Sequence, residues 1–145
     1  MVKRTVCSAN VQYACELSKY LANQEWNYFA TFTTQYELTL PSARRLMERF
    51  HQESGKYAKA AYGEDQRFFW VAEKFQCKDG YHTHGLIRTD ASFDILCNSY
   101  QLVSAAKREG KHYRVHFSKY NPKQAAAKYC AKYLLKKCSD YDLLN

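Results

Sequence analysis

"QRFFWVAEKFQCKDGYHTHGLIR", residues 66–88, is the stretch on which the fold turns. Residues 66–77 are dense in aromatic residues and read as a strand. "KDG", 78–80, is a hairpin signal, and "YHTHGLIR", 81–88, reads as the return strand. A hairpin pairs its strands antiparallel. Strands of that kind, in a chain that also carries several helical patterns, point to an α+β protein with a central antiparallel sheet.

The same stretch carries the first candidate site. Residues two apart on a strand face the same side, so His82 and His84 point together. If the hairpin loop holds an even number of residues, odd positions on the first strand share a face with even positions on the second. Glu73 is the carboxylate among them, nine residues before His82. Glu73, His82 and His84 could thus form a three-ligand cluster with open coordination positions, as a catalytic metal needs. The plainer alternative is a polar Glu73 on a solvent-facing strand beside two histidines that bind nothing.

Working outward, "NVQYACELSKYLANQEW" has apolar residues at helical spacing, which predicts a helix over about 11–23. "WNYFATFTT", 26–34, reads as a strand. Pro41 and Ser42 open a helical pattern that runs to Gly63, with Gly55 inside it. "SFDILCNSYQLVSAAKREG" predicts a helix over about 92–108, closed by Gly110. "KHYRVHFSKY", 111–120, alternates as a strand does. Asn121 as cap and Pro122 at the first position open a last helix, "NPKQAAAKYCAKYLLKKC". Four strands are clear. A fifth is expected near the N-terminus ("KRTVCS") or at 36–40 ("YELTL").

The chain has 145 residues, the size of one ordinary domain. No apolar run of about 18 residues exists, so no segment reads as membrane-spanning, and no signal peptide is read. The six cysteines include no C-x-x-C pair, which favours free thiols over a disulfide framework or a cysteine zinc site. The net charge of +8 favours a polyanionic partner, nucleic acid before membrane. Ten Lys or Arg between Lys107 and Lys137 face one acid, Glu109. Thirteen tyrosines and eight phenylalanines would suit stacking on unpaired bases, although most must serve the core.

Within the last helix, Tyr129, Lys132 and Tyr133 share one face, because residues three and four apart are neighbours. A tyrosine hydroxyl is a poor nucleophile at its ordinary pKa of about 10. A cation beside it favours the phenolate. The alternative is an amphipathic helix whose tyrosines pack and whose lysines reach to solvent.

Three segments in this order, "FATFTT" (29–34), "HTHGLI" (82–87) and "YCAKYL" (129–134), resemble the motifs of the HUH endonucleases of the rolling-circle replication initiator (Rep) class. The first is similar to the family's apolar-Thr strand motif. The second resembles its His-hydrophobic-His metal motif, with Thr83 where the family usually has a bulky apolar residue. The third resembles Tyr-x-x-Lys, and also the paired-tyrosine pattern of small phage and plasmid initiators. Glu73 stands where many viral Rep proteins carry an acidic ligand.

The resemblance implies an HUH fold of about five strands with flanking helices, forming a single domain over 1–145. No G-x-x-x-x-G-K-[ST] loop is present, so no helicase domain is expected. It implies metal-dependent nicking and joining of single-stranded DNA or an origin hairpin. His82, His84 and Glu73 would hold Mg²⁺ or Mn²⁺. Tyr129 would be the nucleophile, Lys132 its charge partner and Tyr133 a second nucleophile. Implied partners are host helicase and polymerase, and no membrane. The implied location is the cytoplasm of the host of a phage, plasmid or other mobile element. Two alternatives stay open: a non-catalytic nucleic-acid-binding module, and an HUH transposase or relaxase acting on mobile DNA.

Overall fold

The computed structural model describes residues 12–13, 15–34, 36–57, 66–104, 114–124 and 140–144. A helix, α1, covers residues 15–22. Strand β1 (Tyr28–Thr33) follows, then helix α2 (Leu40–Gly55), the hairpin strands β2 (Arg67–Lys74) and β3 (Tyr81–Arg88), helix α3 (Phe93–Val103), β4 (Arg114–Lys119), a short 3-10 turn (Pro122–Gln124) and β5 (Tyr141–Leu144). The five strands form one sheet in the order β4-β1-β3-β2-β5, and every pair is antiparallel. The fold is α+β, as the sequence predicts.

The hairpin sets the register. Glu73 pairs with His82 and Lys74 with Tyr81, leaving residues 75–80 as an even-numbered loop. Gly80 closes it at φ 96°, a conformation that an L side chain rarely adopts. A Cβ there would also stand 2.8 Å from Glu37 Cγ.

Alternation along each strand divides the sheet into two faces. On one, Ala30, Phe32, Phe68, Trp70, Ala72, Ile87 and Phe117 pack under α2 and α3, against Leu46, Met47, Phe50, Leu96, Tyr100 and Val103. Phe32 is at the centre, with ring centroids 4.9 Å from Phe50, 5.0 Å from Tyr100 and 5.6 Å from Phe117. Such pairs each add about 0.5–1.5 kcal/mol beyond the area they bury. The opposite face carries a smaller cluster, in which Phe69, Val71 and Leu86 meet Leu21 of α1 and Trp26. Tyr120 and Tyr141 lie against this second cluster.

Helix α2 starts where its caps dictate. The Thr39 side chain accepts from Ser42 N at 3.2 Å, and Thr39 N donates back to Ser42 Oγ at 2.8 Å. The helix stops at Gly55 rather than running to Gly63, since glycine at that position lowers helix propensity; 58–65 lie outside the described residues. Helix α3 is capped by Ser92, whose side chain accepts from Ile95 N, and ends at Val103; the expected continuation to 108 lies outside the described residues.

The fifth strand is the main correction. It is not at 36–40, where the chain is irregular up to Thr39 and then enters α2, but at Tyr141–Leu144, paired with β2 from Val71 to Phe68. The other expected place, "KRTVCS", lies outside the described residues. Arg44 of α2 fixes β5: Nε and Nη2 donate to the two Asp140 carboxylate oxygens at 2.9 and 2.8 Å, and Nη1 donates to Asp142 at 2.9 Å. The two carboxylates hold the Arg44 guanidinium well above its ordinary pKa.

Gly85 marks a close approach. A Cβ on it would run into the Phe68 ring and come within 3.1 Å of Phe69 O. Phe68 is fully buried and has no room to retreat. Gly85→Ala is expected to lower stability by about 1–3 kcal/mol, the usual cost of overpacking. Denaturant unfolding checks this, and an unchanged midpoint would contradict it.

Candidate metal centre

The hairpin brings its three polar side chains to one point. Glu73 lies directly across from His82, and His84 stands opposite Val71 on the same face. His82 Nε2 is 3.0 Å from Glu73 Oε2, and His84 Nε2 is 2.9 Å from the same oxygen. The two imidazole centroids are 4.7 Å apart and the rings nearly perpendicular. The Glu73 side chain is only 12% exposed, His82 16% and His84 8%. That removes the alternative of a solvent-facing strand surface. A carboxylate this far from water needs compensation, which two imidazoles or a cation can give.

Neighbours hold the rings. Phe75 lies 4.6 Å from His82 at 34°, and Lys78 Nζ stands 4.3 Å above the Phe75 ring. On the other side, Thr31 Oγ1 is 3.2 Å from His84 Nδ1, and the Phe29 ring lies nearly parallel to His84 at 6.1 Å. Thr83, between the two histidines, faces the other way. It is fully buried, and its hydroxyl donates to Met47 Sδ at 3.2 Å.

The donor atoms of Glu73, His82 and His84 all lie within 4.8 Å of one another. Adjacent corners of an octahedral ion with bonds of about 2.1 Å stand roughly 3 Å apart. The two N–O separations match that edge, so the three side chains could share one divalent ion and leave its other positions open. The sequence brings this cluster out correctly. What it does not bring out is the contact of Thr31 and Phe29 with His84, which depends on the pairing of β1 with β3.

The family of the replication-associated protein ORF2 matches over residues 27–138. The chain belongs to that family. No curated protein and no solved structure matches the chain. The ORF2 family match takes in β1 to β4 and with them Glu73, His82 and His84. It also takes in Tyr129, Lys132 and Tyr133, which lie outside the described residues. The same holds for most of the basic 107–137 run, of which Lys119 and Lys123 are described and exposed. Where the sequence predicts the last helix to begin, the described residues form a 3-10 turn, in which Lys123 N donates to the Asn121 side chain at 3.0 Å.

Among the described residues, no helix of this replication-associated family member is long and apolar enough to cross a membrane. Two imidazoles in the donor set suit Mn²⁺ better than Mg²⁺, which prefers oxygen ligands. Calorimetric titration is expected to give Mn²⁺ a higher affinity than Mg²⁺ if these three residues hold the ion. Equal affinities would contradict a site made of these three residues.

Proposed function

We propose that this chain is an HUH-type endonuclease that starts rolling-circle replication by nicking single-stranded DNA at an origin. The observation that carries the reading is the convergence of His82, His84 and Glu73 on one sheet face, inside the span matched to a replication-associated family.

The three side chains would hold a divalent ion, which when bound polarises a non-bridging oxygen of the scissile phosphate and offsets the charge developing there. Tyr129 gives up its hydroxyl proton, and its oxygen bonds to phosphorus. The bond from phosphorus to the 3′ oxygen breaks, and that oxygen takes up a proton. The products are a 5′-phosphotyrosine and a free 3′-hydroxyl, which can prime a polymerase or attack the adduct to rejoin the strand. Lys132, one turn along, favours the phenolate. Tyr133 serves as a second nucleophile for a molecule still joined to a first strand.

The segment that holds these residues connects β4 to β5. β4 and β5 are opposite edges of the sheet, and Tyr120 and Tyr141, near each end of the intervening stretch, both lie against the cluster on the histidine face. The basic run would track the DNA backbone.

The test is one denaturing gel. The protein is incubated with Mn²⁺ and a pool of single-stranded hairpin oligonucleotides, with EDTA as control. A protein band shifted by covalently attached DNA, lost with EDTA, is the expected result. Tight DNA binding with no metal-dependent adduct would favour a non-catalytic binding module instead.

A further inference from the structure

We infer that Thr31 is a positioning residue of the metal centre, and that Phe29 and Thr31 of the first motif, "FATFTT", hold His84. The inference rests on the metal-site reading above.

The motif divides by alternation. Ala30 and Phe32 go to the core under α2 and α3. Phe29 and Thr31 go to the opposite face, where β1 pairs with β3 so that Thr31 lies directly across from His84. Both then contact the same imidazole, from two directions. Phe29 lies nearly parallel to the ring, at 11°, and limits its tilt. Thr31 Oγ1 meets Nδ1 at 3.2 Å and fixes its rotation, so that Nε2 is the nitrogen turned to Glu73.

A hydroxyl suits this place because the imidazole must change tautomer. In the neutral ring without an ion, Nε2–H can donate to Glu73, which leaves the Nδ1 lone pair for a hydroxyl to satisfy as donor. With an ion bound, Nε2 must present its lone pair, so the proton sits on Nδ1, which then needs an acceptor. A threonine hydroxyl can rotate to meet both demands. Valine has the same shape and meets neither.

Mn²⁺ dissociation constants for the wild type, Thr31→Val and Thr31→Ser test this, read by calorimetry or by the spin resonance of free Mn²⁺. The valine variant is expected to bind about 10–100-fold more weakly, the usual cost of losing a partner behind a ligand. The serine variant should recover most of that loss, and the ¹⁵N shifts of the metal-free His84 ring should move in the valine variant and not in the serine one. If the valine variant fails to fold, Thr31→Ala against Thr31→Ser makes the same comparison. Wild-type affinity in the valine variant overturns the role of Thr31 alone. So does a serine variant as weak as the valine one, because the hydroxyl would then not matter. A wild-type protein that binds no Mn²⁺ overturns the metal centre and takes this inference with it.

Discussion

Tyr129→Phe is expected to yield no covalent protein–DNA adduct at the first cleavage, whatever the metal or oligonucleotide. The substitution removes one oxygen, the atom that would bond to phosphorus, and leaves the ring otherwise unchanged. No other change to the chain should have a larger effect for so small a loss of volume. Tyr133→Phe is the informative partner. With Tyr129 as the first nucleophile, it leaves the first adduct intact and impairs only the second transfer, the one a protein already joined to a strand must make. A gel with both variants and a substrate carrying two cleavage sites reads both steps. An adduct that survives Tyr129→Phe and vanishes with Tyr133→Phe would reverse the two roles.

Glu73→Gln is expected to abolish metal-dependent cleavage while leaving the fold and DNA binding nearly intact. The amide keeps the size of the carboxylate and can still accept a hydrogen bond from an imidazole. It loses the negative charge on an oxygen that both His82 and His84 approach within 3.0 Å. The Mn²⁺ affinity should fall by more than the ~10–100-fold expected for a partner behind a ligand, since a ligand itself is lost. His84→Ala should fall at least as far, but it also opens a gap beside Phe29, so its thermal unfolding must be measured alongside. A Glu73→Gln protein that cleaves at the wild-type rate would remove the carboxylate from the site.

The parts of this molecule that could be read from its sequence are those decided by neighbours in the chain. The hairpin register follows from a strand period of two and a short even loop, so Glu73, His82 and His84 could be put on one face in advance. Strand β3 runs from Tyr81 to Arg88 as expected, because a turn glycine marks its start. The parts that could not be read depend on distant partners. Tyr141–Leu144 is too short to show a period. Asp140 just before it and Asp142 within it make sense only once Arg44, far earlier in the chain, is known to lie beside them. Thr31 looks like any strand threonine until β1 is paired with β3.

That all three ligands belong to one hairpin has a consequence for the order in which the protein is made. Strand pairs joined by a short loop close in microseconds, whereas contacts between distant segments wait for the chain between them. A growing chain holds Glu73, His82 and His84 once residue 84 has emerged. The stretch with Tyr129 and the strand Tyr141–Leu144, which closes the far edge of the sheet, come later in synthesis. On the function proposed above, the residues that would hold an ion thus emerge before the one that would cut. A nascent chain halted between the two would carry the candidate metal ligands without the proposed nucleophile.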